Sequence, residues 1–317
     1  MILLVTNARD LTTDFVVREQ DRRGEPYYRL NTERLADAAV SFGVDSDEDW
    51  SITQAGRTIR GADVTAAYFR RPEPAEIPDA VSDPRERAYC TAEWGALLKT
   101  LLGRLGPRWL NDPAAIALAE DKPRQLVLAR RLGFEVPETL ITNDPEAFEA
   151  FLAGPTAVGK PLRHARLDGD EDAVIFTSRL DQAEARDAAA IAAAPLILQR
   201  EIEKAADVRV TVVGDRVFAA AIHSQGQSES EVDWRRGDGI DLPHLAIDLP
   251  PAIAERCRAL VAALGLTFGA IDLVEAPDGR FWFLEINPNG QWAWIETRTG
   301  QPITAALVDE LLRRRAR

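Results

Sequence analysis

The sequence predicts an α/β fold divided into two or three lobes, and three observations lead to that expectation. Short apolar runs alternate with stretches of helical periodicity through the first hundred residues. At 317 residues the chain is long enough to build more than one hydrophobic core. Towards its end, Ile271-Asp272-Leu273 and Phe283-Leu284-Glu285-Ile286-Asn287 read as two strands joined by a turn at Pro277-Asp278-Gly279-Arg280.

Met1 to Asn7 lacks a basic stretch and a small-residue cleavage site, so Ile2 to Thr6 is expected as a first strand and not as a signal peptide. Thr13 to Arg23 reads as a helix stopped by Gly24, and Tyr27 to Leu30 and Val64 to Arg70 as further strands. Glu86 to Leu105 carries Trp94, Leu97, Leu98, Leu101 and Leu102 at helical spacing, which assigns those side chains to a core. Trp109-Leu110-Asn111-Asp112-Pro113 closes a first lobe, residues 1–113.

In a second lobe, 114–195, Pro123 suits a first helical turn, Leu126, Ala129 and Leu132 share one side, and Gly133 stops the helix. Val136-Pro137 leads into the next element, and Asp144-Pro145 starts another helix. Ala157 to Lys160 is a short strand, Arg163 to Asp172 a polar loop, Ala173 to Thr177 a strand and Gln182 to Ala194 an alanine-rich helix. A third lobe, 196–317, opens with the strand Leu196 to Gln199. It continues through a hairpin turning at Gly214-Asp215, a mobile-looking segment from Gln225 to Gly239, a helix near Ile253 to Leu264, and the acidic hairpin.

Composition excludes several classes. Hydrophobic content of 46% with 28% charged residues is that of a globular chain, and no apolar run approaches the roughly 20 residues that span a bilayer. A net charge of −13 argues against nucleic-acid binding, which depends on a basic surface. The two cysteines, Cys90 and Cys257, are too few for a disulfide framework, so a cytoplasmic location with free thiols is expected. No Ser-His-Asp or Cys-His arrangement is evident.

The acidic hairpin carries the chemistry. With its turn closed, Asp272 lies across the ladder from Glu285, and Asn287 shares the face of Glu285 because side chains alternate. Ile271, Leu273, Trp282, Leu284 and Ile286 are expected on the other, buried face. Hard oxygen donors with no nearby Cys or His suit Mg²⁺. The same pattern also suits a hairpin with a solvated acidic face; the Glu-x-Asn run into Pro288-Asn289-Gly290-Gln291-Trp292 favours the metal. Lysine is scarce: Lys99, Lys122, Lys160 and Lys204 stand against 34 arginines. Lys99 reads as a surface helix residue. Asp207 and Arg209 alternate with Val208, Val210 and Val212, giving one polar and one packed face. With a two-residue turn, Arg209 pairs with Ala220, and His223 falls on the opposite face as a structural residue.

Nearly the whole chain resembles the ATP-grasp superfamily, and within it the ribosomal-peptide maturases that make microviridin-type graspetides. The resemblance rests on Tyr68-Phe69-Arg70-Arg71-Pro72, Trp109-Leu110-Asn111, Lys122-Pro123-Arg124-Gln125-Leu126, Val136-Pro137-Glu138-Thr139-Leu140 and Lys160-Pro161-Leu162. It extends through Asp207-Val208-Arg209-Val210, Asp233-Trp234-Arg235 and Glu285-Ile286-Asn287-Pro288-Asn289-Gly290-Gln291-Trp292. It implies a Rossmann-like N-terminal lobe and a nucleotide held between the central and C-terminal lobes. ATP and Mg²⁺ would be the cofactors, with Lys122 and Lys160 reaching the nucleotide and Asp272, Glu285 and Asn287 holding the metal. Gln199 to Glu203 matches the hinge, where backbone near Ile202 reads the adenine edge and Glu203 lies near the ribose; Arg200 departs from the usual glutamate. The loop Arg163 to Gly169 takes the place of a flap over the phosphates but has only one glycine. Arg209 would contact the transferring phosphate or substrate carboxylate, Arg235 would orient the peptide carboxylate, and Arg70 or Arg71 would reach the cleft from a strand end.

The activity so implied is that of an ATP-dependent peptide ligase. Asp or Glu side chains of a precursor peptide become acyl phosphates, and a Ser/Thr hydroxyl or Lys amine of the same peptide closes an ω-ester or ω-amide ring. The implied partner is a precursor with a leader and an acidic, hydroxyl-rich core, and homodimers are common among such ligases. Two alternatives stay open: an amino-acid or small-peptide ligase of the same superfamily, and a nucleotide-binding protein without turnover.

Overall fold

The computed structural model describes residues 1–163, 177–181, 187–223 and 242–315. Its first sheet is parallel. Strand β1 (Ile2–Thr6) is buried at all five positions, and helix α1 (Leu11–Arg23) follows it. The helix begins earlier than Thr13 because the Asp10 carboxylate accepts the Thr13 N–H, and it ends at Gly24 with φ +68°. Then come β2 (Tyr27–Asn31), β3 (Ala39–Phe42), β4 (Trp50–Gln54), β5 (Arg57–Arg60), β6 (Ala66–Phe69), α2 (Pro84–Leu105) and β7 (Trp109–Leu110). The parallel order is β2-β1-β6-β7, while β3, β4 and β5 form a separate antiparallel sheet that the sequence did not suggest. Its tight turn is Ala55-Gly56, both at positive φ (50° and 74°), a weaker signal than Asn-Gly. Leu101 of α2 lies in the core with Trp94, Leu98 and Leu102 packed against it, but the first half of the helix is open to solvent.

The middle of the chain supplies α3 (Pro113–Ala119), α4 (Lys122–Arg131), β8 (Thr139–Thr142), α5 (Pro145–Leu152), β9 (Ala157–Lys160), β10 (Ser178–Leu180), α6 (Ala188–Ala193) and β11 (Leu196–Arg200). Pro123 sits in the first turn of α4 and Asp144 caps α5, as their spacing requires. The second sheet is antiparallel in the order β10-β9-β11-β8, over a small core of Phe148, Phe151, Leu152, Ala157 and Leu198. Most of the expected 163–172 loop and 173–177 strand, and the start of the 182–194 helix, lie outside the described residues.

The remainder forms β12 (Ala206–Val213), β13 (Arg216–Ile222), β14 (His244–Ile247), α7 (Pro251–Ala263), β15 (Phe268–Glu275), β16 (Phe281–Asn287), α8 (Ala293–Thr299) and α9 (Ile303–Arg315). The antiparallel order is β14-β13-β12-β15-β16, and β12 is buried at all eight positions. The segment 225–239 lies outside the described residues. One face of this sheet packs on Ile116, Ala119 and Ala129 of α3 and α4 and on Cys257, Leu260 and Val261 of α7. On the other side, Leu307, Val308 and Leu311 of α9 share a core with Ile2, Leu4 and Tyr68 of the parallel sheet. Full burial of such side chains contributes about 1.5–3 kcal/mol each, so the N-terminal sheet is held firmly beside the acidic hairpin. Among the described residues no helix is long and apolar enough to cross a membrane.

Candidate active site

Asp272 lies directly across from Glu285, and Asn287 pairs with Ala270, so the three oxygen-bearing side chains share one face. The route to that pairing differs from expectation. The Ala276 N–H bonds the Arg280 carbonyl (2.9 Å) and the Gly279 N–H bonds the Ala276 carbonyl (2.9 Å), which closes a three-residue loop with Gly279 at φ +79°. That loop alone would bring Leu284 opposite Asp272. A bulge between Asp272 and Leu273 takes up one residue and restores Glu285 to the position. In consequence Phe281 and Phe283 fill the core, and the expected places of Trp282 and Leu284 on the buried face are corrected: both are half-buried.

As the edge strand of its sheet, β16 needs its exposed backbone covered. The Gln125 side chain of α4 does this in both senses, donating to the Ile286 carbonyl (2.8 Å) and accepting the Ile286 N–H (3.0 Å). The Glu135 backbone carbonyl accepts the Phe283 N–H (2.8 Å). Asn111 donates to the carbonyls of Phe268 (2.8 Å) and Pro288 (3.0 Å), and buried Trp292 donates to the Tyr68 hydroxyl (3.3 Å). Asn111 and Gln125 lie within motifs visible in the sequence, yet nothing local marks them as braces for a strand more than 150 residues away.

Cations face both carboxylates. Arg209 on β12 is in register with Asp272, and its Nη1 donates to Asp272 Oδ1 at 2.7 Å. Lys122 places Nζ 3.4 Å from Glu285 Oε2 and donates to the Pro161 carbonyl at 3.1 Å. Next to Pro161, Lys160 donates to Gln199 Oε1 (2.8 Å), and Gln199 donates to Thr139 Oγ1 (3.0 Å). Lys122 therefore bridges Glu285 of the third sheet and the Pro161 carbonyl just past the end of β9, linking Asn287, Glu285, Asp272 and Arg209 to Lys160 and Gln199 in one polar tract. Gly290 lines it closely: a Cβ there would lie 2.5 Å from Ala270 Cβ and 2.7 Å from Arg209 Nη2.

The donor set suits a hard divalent cation. Two carboxylates and one amide oxygen share the face without a thiolate or imidazole, and an octahedral hard cation takes its remaining ligands from water and phosphate oxygens. Among the described residues no group of three His, Cys, Asp or Glu side chains gathers, as expected where the third donor is an asparagine.

Residues 119–311 match the RimK-like ATP-grasp domain. The chain belongs to this family. A probable α-L-glutamate ligase of Pseudomonas fluorescens (strain Pf-5) is 30% identical over 275 residues, covering 82% of this chain and 88% of the relative. The crystal structure of macrocyclase MdnC from Microcystis aeruginosa, bound with precursor peptide MdnA, superposes with a TM-score of 0.86 at 29% identity, over 98% of this chain and 99% of that one. The ATP-grasp ligase PsnB, complexed with a minimal precursor, Mg and ADP, gives 0.79 at 25% identity over 99% and 97% of the two chains. As an ATP-grasp ligase, the protein takes ATP as its nucleotide.

The other residues singled out in the sequence are distributed around the tract. Ile202 follows β11 half-buried, and among the described residues its backbone N–H and carbonyl make no hydrogen bond. Glu203 is exposed beside it. Arg200 turns away from the tract: its guanidinium lies 3.9 Å over Phe151 and donates to Glu138 (3.1 Å) and the Pro155 carbonyl (2.6 Å). Arg209 pairs with Ala220, and His223 lies just past the end of β13, exposed. Lys204 pairs with Asp207 at 3.0 Å, and Lys99 is exposed on α2. Arg235 and the loop residues from His164 to Gly169 lie outside the described residues.

Proposed function

We propose that this ATP-grasp ligase activates Asp or Glu side-chain carboxylates of a ribosomal precursor peptide and closes ω-ester or ω-amide rings within that peptide. The observation that carries this reading is the full-length likeness to a macrocyclase bound to its precursor, which includes the N-terminal lobe outside the family match. In the first step a carboxylate oxygen attacks the γ-phosphorus of ATP and ADP leaves. In the second, a hydroxyl or amine of the same peptide attacks the acyl carbon, phosphate leaves, and the nucleophile's proton is released. Holding both partners on one peptide supplies proximity, so no covalent enzyme intermediate is required.

The lobes 114–195 and 196–317 would close on the nucleotide. Backbone groups of Ile202 would read the adenine edge, with Glu203 toward the ribose. Lys122, Lys160 and Arg209 would offset negative charge on the transferring group, with Gln199 keeping Lys160 extended. Arg209 and Arg235 would receive the peptide carboxylate. Asp272, Glu285 and Asn287 would hold Mg²⁺, which when bound neutralises charge on the phosphate tail. The precursor would carry a leader and a core rich in acidic and hydroxyl or amine side chains, and the enzyme would act as a homodimer. Two free thiols, Cys90 and Cys257, suit a cytoplasmic site of action.

The glutamate-ligase relative supports a second reading, addition of free glutamate to an acceptor. Mass spectrometry separates the two. Ring closure removes one water per crosslink from the peptide, whereas amino-acid ligation adds mass; a gain with no loss would replace the first reading by the second. Asp272→Ala and Glu285→Ala are each expected to abolish peptide-dependent phosphate release, and near wild-type release in either would remove the metal assignment.

A further inference from the structure

Arg70 leaves the end of β6 as a fully buried guanidinium, 0% exposed, and its hydrogen-bond acceptors lie some 220 residues away in sequence. Its Nη1 donates to the backbone carbonyl of Asn289, to Asn289 Oδ1 (3.0 Å) and to the Gly290 carbonyl (3.2 Å). On the other side its Nε lies 3.7 Å from the Asp10 carboxylate, which accepts from the hydroxyls of Thr13 (2.6 Å) and Thr6 (3.1 Å). The Arg70 N–H bonds the Val5 carbonyl at 2.9 Å. Among the described residues Nε and Nη2 make no hydrogen bond, so the contacts of this charge concentrate on the Asn289-Gly290 turn. A buried cation persists only where its partners hold it, and removing one side strands the other.

The turn leads directly to the proposed metal ligands. Asn289 donates its N–H to Asn287 Oδ1 at 2.9 Å, so the orientation of that amide depends on where Asn289 is held. Gly290 leaves no slack, because the contacts a Cβ would make there are already at 2.5 Å and 2.7 Å.

We infer that Arg70 is a positioning residue: it ties the N-terminal sheet to the Asn287 amide and thereby sets how tightly the site holds a divalent cation. The inference rests on the assignment of Asp272, Glu285 and Asn287 to that cation. Groups that orient a metal ligand typically change metal affinity by roughly 10- to 100-fold when removed.

The test titrates Mn²⁺ against the ADP-saturated protein, reading free Mn²⁺ by electron paramagnetic resonance, alongside thermal midpoints and ADP affinity without metal. Arg70→Ala is expected to weaken Mn²⁺ binding about 10-fold or more while metal-free ADP binding is unchanged. Arg70→Lys, which keeps the charge but not the fork, is expected to recover part of the loss. If Arg70→Ala does not fold, Arg70→Lys and Asn289→Ala decide the matter, each expected to weaken Mn²⁺ several-fold. Wild-type Mn²⁺ affinity in folded Arg70 variants, with Asn287→Ala weakened, overturns the inference and leaves the cation assignment standing. Wild-type affinity in Asn287→Ala and Asp272→Ala overturns both.

Discussion

Gly290 and Arg209 show how little room individual residues have around the acidic hairpin. The glycine is required by space and not by backbone conformation, since Arg209 Nη2 and Ala270 Cβ occupy the volume a side chain would need. Gly290→Ala is expected to push Arg209 off Asp272 and to cost about 1–3 kcal/mol of overpacking strain. Denaturant midpoints and ATP turnover should fall together; wild-type values for both would show that the loop can shift. Arg209 itself was legible in the alternation of Asp207, Arg209 and the intervening valines. Gly290 was legible only as part of a motif, because the atoms it avoids come from β12 and β15.

Strand β16 illustrates the same division among elements. Its two acidic and amide donors were recognisable from a period of two, but their arrival opposite Asp272 needs a three-residue loop and a compensating bulge. A strand with a period of two would lose its polar face entirely on a slip of one residue, so something must hold the register. Gln125 does so by bonding the Ile286 N–H and carbonyl from helix α4. Gln125→Leu keeps the bulk and leaves both groups buried and unpaired. The expected loss is about 1–3 kcal/mol in unfolding free energy, with metal-dependent ATP turnover reduced as the edge loosens. A variant as stable as wild type would mean that water or a neighbouring group replaces the amide.

Across the whole molecule the N-terminal sheet is packed against the sheet that carries the acidic hairpin. Beyond the shared core and Arg70, Asp309 of α9 accepts from Arg23 of α1 and from Arg216 of β13, both at 2.6 Å. Although burial works the other way, Arg23 and Arg216 hold the Asp309 carboxyl below its ordinary value of 3.8. A depressed carboxylate stabilises the fold fully above that ordinary value, and the contribution disappears as pH falls through the folded one. Wild-type stability should therefore drop as pH is lowered below 3.8, and Asp309→Asn should be less stable at neutral pH but flatter across that acid range. Parallel acid profiles for the two proteins would show that the bridge contributes nothing.

By itself the sequence determined the α/β class, the apolar strand Ile2–Thr6, the helix starts at Asp144 and Pro123, and the alternation that puts Glu285 and Asn287 on one face. Those features are local: a period, a cap or a turn is written within about a dozen residues. Only the tertiary structure decided the bulge, the braces from Arg70, Asn111 and Gln125, the antiparallel sheet of β3, β4 and β5, and the core shared between the first and third sheets. Arg70 and Asn289 stand 219 residues apart and Gln125 and Ile286 161 apart. A buried polar side chain shows its purpose only when the backbone group it satisfies has been brought beside it, and no local pattern encodes that meeting.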